Sequence, residues 1–149
     1  MKISNSTKYG MTAALCEAVG EYPTDGLVVE LKYCPRSSKR YISGTYYRRT
    51  TGYEEGKLIR LRVNRENRYP LDVKFKTSEY YTQRDRFGRE LVCQKTRTVR
   101  FERAEDLILG IFLHEFSHYL DHIEGRNGRY KQTKADKFAV SVLEKLEVI

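Results

Sequence analysis

Residues 104–125, AEDLILGIFLHEFSHYLDHIEG, decide how the chain is read. The apolar side chains recur at helical spacing on more than one side, as in a helix buried between a sheet and another element. Glu105 and Asp106 place negative charge where a helix dipole favours it, and Gly125 offers a stop. On such a helix His114 and His118 stand four residues apart on one face, so their ring nitrogens can reach one metal ion. Glu115 lies beside them, within reach of a metal-bound water. The pattern needs both imidazoles and the carboxylate, which makes it more specific than a lone histidine pair. Its chemistry is hydrolytic: the ion lowers the pKa of water towards roughly 7, the carboxylate takes the proton, and hydroxide attacks a carbonyl.

Downstream, YKQTKADKFAVSVLEKL resumes helical spacing, with Ala135, Phe138, Ala139, Val142, Leu143 and Leu146 on one stripe. Upstream, the residues favour strands. LVVELKY (27–33), RYISGTYYRR (40–49), KLIRLRV (57–63), LDVKFKT (71–77) and ELVCQKTRTVRF (90–101) are rich in branched and aromatic residues, with a turn at Phe87–Gly88. In LDVKFKT, Leu71, Val73 and Phe75 take one face and Asp72, Lys74 and Lys76 the other, as in a half-exposed strand. Near the N-terminus a short helix is expected from Thr7 to about Val19, closed by Gly20. The expected fold is therefore α+β: an N-terminal helix, a small antiparallel or mixed sheet of four or five strands, the HEFSH helix and a packed C-terminal helix.

At 149 residues the chain suits one domain, a basic β-rich part at about 27–101 followed by a helical part at about 103–149. No apolar run approaches the roughly 18–20 residues of a membrane span, and no signal-peptide core is evident, which favours a cytoplasmic, non-membrane protein. The three cysteines make neither a zinc knuckle nor a disulfide framework. The formal charge of +8 is uneven: residues 30–103 carry 20 basic and nine acidic side chains. That segment suits a polyanion such as nucleic acid, or simply a solvated sheet surface.

Strands, HEFSHYLDH on a helix and a second helix with KADKFAVSVL together resemble a minimal zincin metallopeptidase of the SprT-like or ImmA/IrrE type, over about residues 57–147. The resemblance implies zinc (Zn2+), peptide-bond hydrolysis, a protein or peptide substrate and a cytosolic setting, with His114 and His118 as ligands and Glu115 as general base. The third ligand departs from those families. No carboxylate precedes Ala135–Asp136 at 132–134, and no histidine follows His122. Antiparallel helices of equal rise, turning between about Glu124 and Tyr130, bring the level of residue 116 to about residue 138, within a turn of Asp136. Asp136 is thus expected as the third ligand. The alternatives are Gln132 through its amide oxygen with Asp136 orienting a histidine, Glu124, and His122, which more naturally caps the helix. Tyr119, Arg126 and Tyr130 are candidates to stabilise an oxyanion, and LDVKFKT or ELVCQKTRTVRF the sheet edge that pairs with substrate. The other reading is a catalytically weak or inactive zincin-fold module that binds nucleic acid or regulates.

Overall fold

The computed structural model describes residues 1–126 and 131–149. It is a small α+β fold built from β1 (Lys2–Asn5), α1 (Thr12–Val19), β2 (Val28–Tyr33), β3 (Ile42–Tyr47), β4 (Leu58–Val63), β5 (Leu71–Arg84), β6 (Glu90–Phe101), α2 (Ala104–Ile123) and α3 (Gln132–Lys145). Four strands form a mixed sheet in the order β1-β2-β4-β3. β1, β2 and β4 run parallel and β3 runs antiparallel along β4 as a sheet edge.

Alternation explains which face is covered. Ile59, Leu61 and Val63 of β4 are buried with Val29 and Leu31 of β2, while Arg60 and Arg62 turn to the other side. On that outer face the Glu30 carboxylate accepts from Arg60 Nε at 3.0 Å and from the Tyr53 hydroxyl. α2 lies across the inner face. Its buried residues, from Ala104 and Leu107 through Phe112, Leu113 and Phe116 to Tyr119 and Leu120, spread around most of the helix. Phe116 stacks on Phe112 and Tyr119, with ring centroids 5.4 Å apart in both pairs. Burying this many large apolar groups, at roughly 1.5–3 kcal/mol each, anchors the helix that carries the histidines.

Three expectations are corrected. β5 and β6 do not join the main sheet; they form a separate two-stranded hairpin, because Leu71, Val73 and Phe75 turn towards the helices. The edge of the main sheet beside the HEFSH helix is β3, and β5, paired only with β6, lies across the groove from it. The N-terminal helix begins at Thr12, not Thr7: Asn5 Oδ1 accepts from Thr7 N–H at 2.9 Å and Thr7 Oγ1 from Tyr9 N–H at 3.2 Å, so side chains take the backbone donors that an earlier helix would use. Residues 2–5, given no element by the sequence reading, form β1.

α2 and α3 are tied where they meet. Asp121, 8% exposed, accepts from Arg126 Nε at 2.8 Å and Lys134 Nζ at 2.6 Å. Burial pushes its pKa up, but the Lys134 and Arg126 bonds outweigh this and hold the carboxyl below its usual range. The three cysteines are unpaired. Among the described residues no helix is long and apolar enough to cross a membrane.

Candidate metal centre

The helical register of α2 brings His114 and His118 together. Their Nε2 atoms are 3.3 Å apart, and the ring centroids 5.0 Å apart. Two nitrogens each about 2.0–2.1 Å from a tetrahedral zinc would stand about 3.3 Å apart, so the spacing fits a shared ion. The same spacing also permits one imidazole to donate a hydrogen bond to the other.

Asp136, in the second turn of α3, reaches the opposite edge of the His114 ring. Its Oδ1 lies 2.6 Å from Nδ1, and its Oδ2 accepts the Lys76 N–H at 2.7 Å. β5 pairs only with β6, so every second amide points away from the ribbon, and that of Lys76 turns to α3. Gln132, the first residue of α3, lies close enough to both rings for its side-chain amide to favour their protonated forms. Among the described residues no group of three or more His, Cys, Asp or Glu side chains is arranged to hold a metal ion. The amide of Gln132 lies outside those four residue types.

These surroundings split the two histidines. Burial lowers the pKa of His114, but the Asp136 bond and the charges of Glu115 and Asp136 outweigh it, leaving the pKa raised. For His118 burial dominates, reinforced by the charge of His114, and the pKa is lowered.

Glu115 is 6% exposed, and burial raises its pKa above the usual carboxylate range. Its Oε2 accepts the Tyr46 N–H at 3.0 Å, which fixes the side chain to the β3 edge. This contact demands close approach of strand and helix. A Cβ on Gly44 would stand 2.8 Å from Ile111 Cγ2 and 2.9 Å from Glu115 Cγ, so only glycine fits. The result is a groove of about 200 Å³ between residues 42–44 of β3 and 73–75 of β5. Ile111, His114, Glu115 and Asp136 also line it.

The remaining candidates lie elsewhere. His122 packs on the tight turn at Gly56, where a Cβ would come within 2.7 Å of its ring, and beside Tyr46. Glu124 caps the end of α2 and pairs with Arg126, which also serves Asp121. Tyr119 is fully buried, with its hydroxyl donating to the Pro23 carbonyl at 2.7 Å. Tyr130 lies outside the described residues. Tyr46, Gly44 and Lys76 also belong to the site, although nothing in the sequence points to them. Two act through backbone amides and one through a missing side chain, and none carries a sequence signal of its own.

Compared with family models, curated proteins and solved structures, the chain matches none.

Proposed function

We propose that the chain is a zinc-dependent metallopeptidase with a zincin-like arrangement, acting on an extended protein or peptide. The observation that carries this reading is the pair of Nε2 atoms 3.3 Å apart with a buried carboxylate beside them on the same helix. His114, His118 and the Gln132 amide oxygen would hold the ion. Bound zinc would supply a Lewis acid that polarises the carbonyl and acidifies water.

Each protein group then has a definite task. Asp136 accepts the Nδ1 proton of His114, which leaves the Nε2 lone pair directed towards His118. The Lys76 N–H holds the second oxygen of Asp136 and so fixes the rotation of the ring. Glu115, with Oε2 held by Tyr46, uses Oε1 to take a proton from the attacking water and return it to the departing amine. Its raised pKa suits both halves of that transfer. The edge of β3 offers backbone groups for an extended substrate in the groove. Here Asp136 serves as orienter and not as the third ligand, since both its oxygens already have partners.

The test pairs zinc analysis of the purified protein with cleavage of an unfolded protein substrate. One tightly held zinc and proteolysis that disappears in Glu115→Gln support the proposal; a chain that takes up no zinc refutes it. A second reading, a module with weak or no catalysis that binds nucleic acid, draws on the fact that no three His, Cys, Asp or Glu side chains among the described residues are arranged to hold a metal ion. Salt-dependent DNA binding that survives metal removal, without proteolysis, would favour it.

A further inference from the structure

Seven large apolar side chains are exposed among the described residues, and five of them lie on the outer β5–β6 hairpin: Tyr80, Tyr81, Phe87, Leu91 and Val92. A two-stranded ribbon with apolar groups on both faces has little stability of its own and calls for a cover. At its tip, RDRFGR (84–89), Phe87 is 68% exposed. The guanidinium carbons of Arg86 and Arg89 lie 5.0 and 5.3 Å from the centre of its ring. Asp85 is consumed by the turn: Oδ1 accepts the N–H groups of Phe87 and Arg89, and Oδ2 accepts from Arg89 Nε. The tip therefore presents an aromatic ring surrounded by net positive charge.

A sixth exposed side chain, Tyr22, belongs to a groove of about 720 Å³ between the end of α1 and α3. Tyr22, Phe138, Val142 and Leu146 give it apolar walls, and the exposed Glu17, Glu21 and Lys145 also line it. The two surfaces are complementary in sign: a protruding cationic aromatic tip, and an apolar recess whose lining carries two carboxylates against one ammonium.

The chain cannot join them within itself. Arg97 pairs with Glu144, Lys137 Nζ donates to Ser78 Oγ, and Gln94 Nε2 donates to Thr133 Oγ1. These contacts lay the ribbon along α3 from its C-terminal end to its first turn. The tip runs on past that end, roughly 20 Å beyond Gln94 at about 3.3 Å per residue. The groove lies around residues 138–146, in the opposite direction.

We propose that the hairpin tip of one copy inserts Phe87 into the α1–α3 groove of a second copy, with Arg84 and Arg86 facing Glu17 and Glu21. Two reciprocal insertions close a two-fold dimer and double the area that one tip alone would bury.

Analytical ultracentrifugation of the full chain over a concentration series tests this. Three variants are compared: Phe87→Ala, the pair Arg84→Glu with Arg86→Glu, and the pair Glu17→Lys with Glu21→Lys. All five positions are exposed, so the fold should survive. The expected result is a dimer whose dissociation constant rises at least about tenfold in each variant. An equimolar mixture of the two charge-reversed chains should regain it, because each arm then meets a groove of opposite sign. A wild-type chain monomeric at every concentration overturns the proposal. So does association indifferent to the reversals, or a mixture that stays dissociated. Loss of binding to a duplex DNA oligonucleotide in the arginine variant, with every chain monomeric, would likewise overturn it and assign the arm to nucleic acid.

Discussion

Asp136 meets His114 at Nδ1, 2.6 Å away, whereas the Nε2 atom of His114 faces that of His118. A carboxylate on that edge acts on a metal through the imidazole, by fixing its tautomer and raising its basicity. Asp136→Asn is therefore expected to weaken zinc binding by about 10–100-fold without abolishing it. His118→Ala removes a direct donor and should abolish stoichiometric zinc. Competition with a chromogenic chelator measures both; equal losses would return Asp136 to the ligand set.

Glu115 is a carboxyl group at 6% exposure whose charged form burial disfavours, an arrangement that serves proton transfer better than folding. Glu115→Gln keeps a group that can accept from Tyr46 N–H and removes the buried ionisable carboxyl. The expected outcome is retained zinc, peptide cleavage reduced by about 10²–10⁴-fold, and metal-free stability raised by about 0.5–2 kcal/mol. Cleavage assays and urea unfolding at neutral pH read the two effects. Unchanged cleavage would remove Glu115 from the chemistry.

Gly44 sets the distance between β3 and α2. In Gly44→Ala the new methyl meets Ile111 and the Cγ of Glu115, both close to the helix backbone. A loss of about 1–3 kcal/mol in unfolding free energy is expected. Cleavage should fall as well, because the Tyr46–Glu115 contact opens. A fully stable, fully active variant would show that strand and helix have room to separate.

Asp121 gives the pH dependence a definite sign. Its pKa is depressed in the folded chain, so its contribution is present above the unfolded value and is lost as pH falls through the folded one. Asp121→Asn should cost about 1 kcal/mol near neutrality, a modest figure because Lys134 and Arg126 are about half exposed and can be rehydrated. The difference from wild type should shrink in acid below about pH 4. Chemical unfolding at several pH values measures it; a gap that widens in acid would contradict the assignment.

Much of this architecture was legible because burial leaves a period. The stripe in α3, the alternation in KLIRLRV and LDVKFKT, and the turn at Phe87–Gly88 all appear where the residues suggest. The pairing of strands was not legible. Nothing in LDVKFKT says that its inward face meets helices instead of a sheet, and the parallel partnership of β1 with β2 links segments more than twenty residues apart. The histidine pair follows from helical spacing alone. Counting helical rise also brought Asp136 to the correct level, but a level cannot distinguish Nδ1 from Nε2. Tyr46 and Lys76 contribute backbone amides, which every non-proline residue possesses, so no residue type could have announced them.

The central claim is that the two imidazoles share a zinc ion. A crystal grown with zinc, with diffraction recorded on both sides of the zinc absorption edge, tests it most directly. The expected result is one anomalous peak about 2.0–2.1 Å from Nε2 of both His114 and His118, with Asp136 still on Nδ1. Rings that keep their mutual contact with no peak between them, or a zinc bound elsewhere on the chain, would contradict it.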